Sequence, residues 1–412
     1  MPPTPVKPLT PSDLLHPMLA ALMTVIVNYG GTFVLVFHAA KMAGLSADAT
    51  ASWVWSASIG VGLTCILLSW ATREPIITAW STPAAAFLII ALPTIPYSEA
   101  IGAYLISALL FIALGLTGYF EKVVKLIPPG IAAGLLAGIL LQFGIGAFAA
   151  INVEPFLVIL MITGYLLLRR FAARYAVVGA LLLGLSFLFI QHRIDLSSIE
   201  LAVAAPVFTS PTFSWNTLLS VALPLFLITL TGQYIPGMLV LRNDGFKTSA
   251  NPILIFTGLG SFLFAFFGSH AMNIAAITAA ICTGKEAHEE SEKRWIAGVI
   301  AGVLYIVVGI FGVTLAALFM VFPSSFIAAL AGIALLGTIS SSLSSAIADP
   351  ASREASLITF LVTAANISFL GIGSAFWGLI IGLAAHFLLT ATFPKNNAAP
   401  NTADKTLHEL DS

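Results

Sequence analysis

Two short polar stretches interrupt apolar sequence, Ser81-Thr82-Pro83-Ala84 and Ser269-His270-Ala271-Met272-Asn273. Ser or Thr ahead of a helix accepts hydrogen bonds from its first free amides, and Pro in the first turn sacrifices nothing, because its missing N–H was unpaired anyway. Helices starting near mid-membrane at about Pro83 and Ala271 would each aim free N–H groups and a positive dipole end at one central point. Such a pair attracts an anion. Irregular backbone at this depth is tolerated only where it is buried in protein or lines a cavity, and broken segments at matching positions of two halves mark the binding site of many transporters. The plainer alternative is a Pro-kinked helix.

Other residues could complete such a site. Gln233, between Gly232 and Pro236, offers an amide to a ligand oxygen or to a neighbouring helix. Asn273 could do the same or cap its own helix. Within Asn28-Tyr29-Gly30-Gly31, Tyr29 could present its ring to a ligand or pack between helices. Trp80 could line the same slot or pack. His270 is the candidate proton carrier, since imidazole titrates near neutral pH; a neutral hydrogen-bonding role and direct ligand donation stay open. The acids Glu74, Glu99, Glu121, Glu154, Glu286 and Asp349 all fall near span ends or in loops. Cys65 and Cys282 read as packing residues, and no metal cluster, paired acids or nucleophile–base set points to an enzyme or a cofactor.

These residues need a membrane fold to place them. The chain has 412 residues, 59% hydrophobic and 8% charged, with mean hydropathy +1.01. Apolar runs separated by short charged loops divide residues 17 to 393 into fourteen approximate spans. The third (76–92) and tenth (271–283) fall short of the ~20 residues of a full crossing, and the thirteenth covers 355–370. With the N-terminus inside, only Lys41 and Arg193 of the 17 Lys and Arg residues lie on external loops, which puts both termini in the cytoplasm. Residues 1–12 and 395–412 read as disordered tails. No cleavable signal peptide is evident, and a net charge of −1 gives no case for nucleic acid. Pro129 and Pro323 lie 194 residues apart, and at that offset Ala137-Gly138-Ile139 meets Ala331-Gly332-Ile333. Halves of seven spans would have opposite topology, although chance matches among common residues compete with that reading.

Four separated motifs, I-T-A-W-S-T-P (77–83), G-Q-Y-I-P-G-M (232–238), A-A-I-T-A-A-I-C (275–282) followed by E-A-H (286–288), and G-I-G-S-A-F-W-G-L-I (371–380), resemble the benzoate/proton symporter family of bacterial inner membranes. The resemblance implies an all-α polytopic fold like that of uracil permeases and sulfate-type anion transporters, with fourteen spans as two inverted repeats of seven. It implies a core domain from 13–120 and 213–322 and a gate domain from 121–212 and 323–394, with short strands leading into broken spans three and ten. The implied activity is proton-coupled import of benzoate or a similar aromatic carboxylate, without a cofactor, by a chain in contact with lipid that can pair as a homodimer. The expected substrate-binding set is Tyr29, Ser81, Thr82, Pro83, Ala84, Gln233, His270, Ala271, Met272 and Asn273. Nucleobase permeases of this fold carry glutamates on spans eight and ten, where this chain has Gln233 and no acid. That departure disfavours a nucleobase and suits an anion, which a carboxylate would repel. A carrier of another small anion and an anion channel are the rival readings.

Overall fold

A backbone inside a bilayer has no water to bond, so every amide needs a partner within the protein. Helices meet that need along most of this chain, and two very short sheets meet it where the helices break. The computed structural model describes residues 11–126, 128–193, 201–275, 278–285, 287–369 and 372–390. Nearly all of both expected tails lies outside them.

The elements run α1 (Pro11–Gly31), α2 (Val34–Met42), α3 (Ala47–Thr72), β1 (Thr78–Trp80), α4 (Thr82–Ala91), α5 (Tyr97–Thr117), α6 (Phe120–Leu126), α7 (Pro129–Ala149), α8 (Pro155–Phe171) and α9 (Ala176–Ile190). After the non-helical residues 201–214 come α10 (Trp215–Thr217), α11 (Leu223–Thr229) and α12 (Ile235–Asn243), joined by π-helical turns at Leu218–Ala222 and Leu230–Tyr234. Then follow α13 (Ala250–Ala265), β2 (Met272–Ile274), α14 (Ala279–Thr283), α15 (Trp295–Ile310), α16 (Gly312–Met320), α17 (Ser324–Ala348) and α18 (Arg353–Ala364). A hairpin of β3 (Ser368–Phe369) and β4 (Ile372–Gly373) leads into α19 (Ser374–Thr390). Among the described residues seven helical segments are long and apolar enough to cross a membrane, and four shorter apolar helices accompany them. The chain is a mostly helical, multi-pass membrane protein.

Several boundaries differ from the sequence reading. Helix α3 starts at Ala47, where Ser46 caps it by accepting the Ala49 amide at 3.2 Å. Span thirteen stops at Ala364 rather than 370, where Asn366 takes a left-handed φ of 50° and the chain turns into the β3–β4 hairpin. The largest correction is span ten. A helix was expected from Ala271, but 272–274 form a strand and the helix appears only at Ala279, for five residues. A backbone committed to a sheet cannot also begin a helix.

Strands β1 and β2 pair antiparallel, with Thr78 opposite Ile274, Ala79 opposite Asn273 and Trp80 opposite Met272. The ladder is extended at both ends, by the Ser81 amide on the Ala271 carbonyl (2.9 Å) and the Ala275 amide on the Ile77 carbonyl (2.8 Å). All six strand residues are buried.

Helix packing sorts the chain around this ribbon. Helix α3 packs on α15, α13 and α16, α5 on α13, and α1 on α15; elsewhere α7 packs on α17 and α18, α18 on α19, and α8 on α9. Helices α3 and α15 touch backbone to backbone: a Cβ on Gly62 would lie 2.6 Å from the Gly302 carbonyl oxygen, and one on Gly302 would lie 2.5 Å from that of Gly62. Small residues replace hydrophobic attraction as the means of close packing in lipid. At the far end of α17, Asp349 accepts the Ala351 amide at 3.0 Å and the Ser352 hydroxyl at 2.9 Å. These bonds hold its carboxyl below the usual range and shape the turn into α18.

The Gly62 contact yields a direct prediction. Gly62→Ala must force α3 and α15 apart and is expected to cost about 1–3 kcal/mol, seen as a lower unfolding midpoint in detergent. Gly146→Ala, where an added Cβ meets nothing within 4 Å, is expected to leave that midpoint unchanged or raised.

Candidate functional site

Ser81 is the joint between β1 and α4. Its hydroxyl accepts the Ala84 amide at 3.3 Å and the Thr229 hydroxyl at 2.9 Å, while its carbonyl accepts the Ala85 amide at 2.8 Å. Pro83 has no amide hydrogen. The expected run of free donors over 82–85 therefore narrows to Thr82, the first-turn residue that lies on a cavity wall and makes no such internal bond. Ser81 and Ala84 are fully buried behind it.

The second broken segment does not supply a matching helix N-terminus. The Met272 amide is taken by the Ser261 hydroxyl at 2.8 Å, and the Met272 carbonyl accepts the Tyr234 hydroxyl at 3.2 Å. Ala271, Met272 and Asn273 are buried in or beside the ribbon, and Asn273 donates to its neighbour Ile274 at 2.8 Å. What this segment contributes to the cavity is Ala275 and Thr278.

Gln233 sits in the π-helical turn Leu230–Tyr234, a geometry that accumulates at functional positions. It is half-buried on the cavity wall and makes no hydrogen bond to protein among the described residues. Its flanking glycines explain the G-Q-Y-I-P-G spacing. A Cβ on Gly232 would lie 3.0 Å from Pro83 Cγ, and one on Gly237 would lie 2.8 Å from the Ala275 carbonyl oxygen. The turn is thus pressed against both broken segments, which brings Gln233 beside Thr82 and Pro83.

The cavity measures about 820 Å³. Ala132, Ala133, Leu136 and Leu140 of α7, with Ile235, Pro236, Leu239 and Val27, make apolar walls; Trp80 adds an aromatic one. Asn28, Thr32, Thr82, Thr231, Gln233 and Thr278 place polar groups among them. Among the described residues no Asp, Glu or His lines it. The mouth is formed by exposed Arg169, Leu239, Ser341 and Ser345. A second cavity of about 380 Å³ lies at the opposite end of α4, bounded by His38, Ile89, Ile90, Pro93, Gln142 and Asn366 among others.

Tyr29 stands one layer behind the larger cavity. Its hydroxyl donates to Ser58 at 2.6 Å, and its ring packs against Phe33 (4.9 Å) and Trp80 (5.1 Å). Its neighbour Asn28, turned ~100° around the helix, reaches the wall instead, donating to the Tyr305 hydroxyl at 2.8 Å. Trp80 both packs and lines, its indole N–H donating to Thr32 at 3.2 Å.

His270 is fully buried and off the wall. Nε2 lies 3.1 Å from the Ser81 carbonyl, which can only accept, and Nδ1 receives the Trp53 indole N–H at 3.2 Å. Those two partners define a neutral imidazole with its hydrogen on Nε2. A second proton on Nδ1 would face the indole hydrogen.

Arg169 escaped the sequence reading. As one of two arginines at the end of α8 it reads as a cytoplasmic flank, yet among the described residues it is the one charged side chain on the cavity wall. Only its tertiary neighbour, Gly337 of α17, distinguishes it from Arg170.

Comparisons with known proteins fit this geometry. A family model described as benzoate membrane transport protein matches residues 12–388. The chain is 42% identical over 371 residues to the benzoate membrane transport protein of Acinetobacter baylyi, covering 90% of this chain and 94% of that one. It is 37% identical over 379 residues to inner membrane protein YdcO of Escherichia coli, covering 92% and 97%. Among solved structures, SLC26A9 superposes with a TM-score of 0.62 at 14% identity, over 92% of this chain and 66% of that one. The transmembrane domain of the cyanobacterial bicarbonate transporter BicA superposes with a TM-score of 0.59 at 17% identity, over 93% and 99%. The last two show a shared fold.

Ser81 carries more of the site's order than Thr82. Ser81→Ala removes the α4 cap and strands the Thr229 hydroxyl, with an expected loss of about 1–2 kcal/mol. Hydrogen exchange at the Ala84 and Ala85 amides should accelerate, whereas Thr82→Ala should leave both protected.

Proposed function

The chain belongs to the benzoate membrane transport family, and on that premise we propose that it imports benzoate or a similar aromatic carboxylate with protons across the bacterial inner membrane by alternating access. The family is one of transporters, not enzymes. The observation that carries the substrate reading is the larger cavity itself, with apolar and aromatic walls for a ring, Thr82 and Gln233 for a carboxyl group, and no acid among the described residues to repel it.

In this reading the chain makes fourteen crossings as two inverted repeats of seven, with both termini cytoplasmic. Residues 13–120 and 213–322 form the core domain; 121–212 and 323–394 form the gate domain. The packing of α3 on α15 and of α5 on α13 supports the first grouping, and that of α7 on α17 and α18 supports the second. Two cavities at opposite ends of α4 support a site that is reached from each side in turn.

Accumulation requires coupling. Moving one negative charge against an inside-negative potential costs about 2.3 kcal/mol per 100 mV, and one co-transported proton cancels that term. Among the described residues the cavity wall holds no Asp, Glu or His, and both nitrogens of His270 are engaged. The proton is therefore proposed to travel on the carboxyl group. A glutamine amide suits this, because it offers both a donor and an acceptor and can pair with a protonated acid as well as with its anion. His270 then serves the junction of β1 and α4.

Purified protein in liposomes should take up labelled benzoate under an inward proton gradient, and excess benzoate should compete where chloride, sulfate and uracil do not. Counterflow separates a carrier from a channel. Gln233→Ala should raise the half-saturating benzoate concentration about tenfold, and Gln233→Glu should raise it further by placing a negative charge in the cavity. Uptake indifferent to both substitutions would remove Gln233 from the site.

A further inference from the structure

Arg169 and the hydroxyl-bearing face of α17 have no part in the central site. Arg169 stands in the last turn of α8 and reaches across the cavity wall to α17, where a Cβ on Gly337 would lie 3.9 Å from Nη2 and 4.0 Å from Nη1. Gly337 is near the midpoint of that 25-residue helix, well inside the span. No ion pair or hydrogen bond holds the guanidinium among the described residues. Its neighbour Arg170 lies off the cavity, with Cζ 5.6 Å from the Phe171 ring.

Beyond Gly337 the lining residues Thr338, Ser341, Ser342 and Ser345 follow the i, i+3, i+4, i+7 spacing of one helix face. From Thr338 to Ser345 that face covers about 10 Å at 1.5 Å per residue. A lone cation beside a row of hydroxyls, on a wall whose described residues include no acid, has the composition of an anion site.

Resting on the reading that an aromatic carboxylate crosses this cavity, we propose that Arg169 and the 338–345 face of α17 form a second carboxylate subsite at the mouth, outward of Thr82 and Gln233. The guanidinium receives the carboxylate through charge-assisted hydrogen bonds, and the α17 hydroxyls hand it towards the exposed end.

The test uses the full chain in vesicles of both orientations, with half-saturation for benzoate measured on the face that opens onto Arg169, at low and at moderate salt. Arg169→Gln should raise that value about five- to tenfold at low salt and flatten its salt dependence. Arg169→Lys, which keeps the charge, should stay within about twofold of wild type in half-saturation and retain the salt response. Arg170→Gln should match wild type. Benzoate transport by wild type with Arg169→Gln unchanged in both readouts overturns this subsite alone. Equal losses in Arg169→Gln and Arg169→Lys, with the wild-type salt response intact, would also overturn it, because they would mean packing rather than charge. A wild-type chain that neither binds nor moves benzoate would remove the central reading as well.

Discussion

Unsolvated backbone buried in the interior of a membrane protein is the constraint from which the rest of this structure follows. A helix that starts or stops there leaves amides and carbonyls that water cannot reach, and each would cost several kcal/mol unpaired. The chain resolves this with two three-residue strands from distant parts of the sequence, Thr78–Trp80 and Met272–Ile274. A two-stranded ribbon is marginal by itself. Here side chains clamp it from both sides: Thr64 and Cys65 on Thr78, Ser261 and Tyr234 on Met272. Because the ribbon holds, α4 can begin at depth and present Thr82 to a cavity.

The same economy explains the polar residues around it. Trp53 donates to His270, His270 to the Ser81 carbonyl, and Thr229 to the Ser81 hydroxyl. This chain ties α3, the β1–α4 joint and α11 through groups that are all buried. Networks of this kind specify a unique arrangement when fully satisfied. The consequence for function is a fixed α4 start, so a ligand meets a preformed surface.

Much of this was legible in the residues. Ser81 as cap and Pro83 in the first turn of α4 follow from local chemistry that needs only neighbouring residues, and the structure has both. Gln233 could be singled out because Gly232 and Pro236 disturb its helix. The family resemblance implied a strand leading into span ten, but the residues themselves placed the helix start too early, at Ala271, because that strand depends on a partner almost two hundred residues away and no local signal separates Met-Asn-Ile in a ribbon from the same residues in a helix. Tyr29 and Asn28 are adjacent in sequence and differ only in helical phase, which apolar sequence on every side does not reveal. Arg169 was hidden by the rule that sorted it, since a basic pair at a helix end is what a cytoplasmic flank looks like.

The distribution of charge in the larger cavity also bears on what a carrier must do. A site that holds its ligand by a fully buried ion pair gains strong attraction and pays for it in desolvation, and breaking such a pair is slow and costly. Neutral donors such as the Gln233 amide and the Thr82 hydroxyl contribute about 1 kcal/mol each, enough to orient a carboxyl group and little enough to release it. Apolar walls from α7 and the Trp80 ring can then supply most of the affinity for an aromatic ring without regard to its charge. Such a centre accepts the acid with or without its proton. If Arg169 acts as proposed, discrimination between the two forms falls to that cation at the mouth, where water can share the cost of charge, and such an ordering would let one cavity both bind and let go.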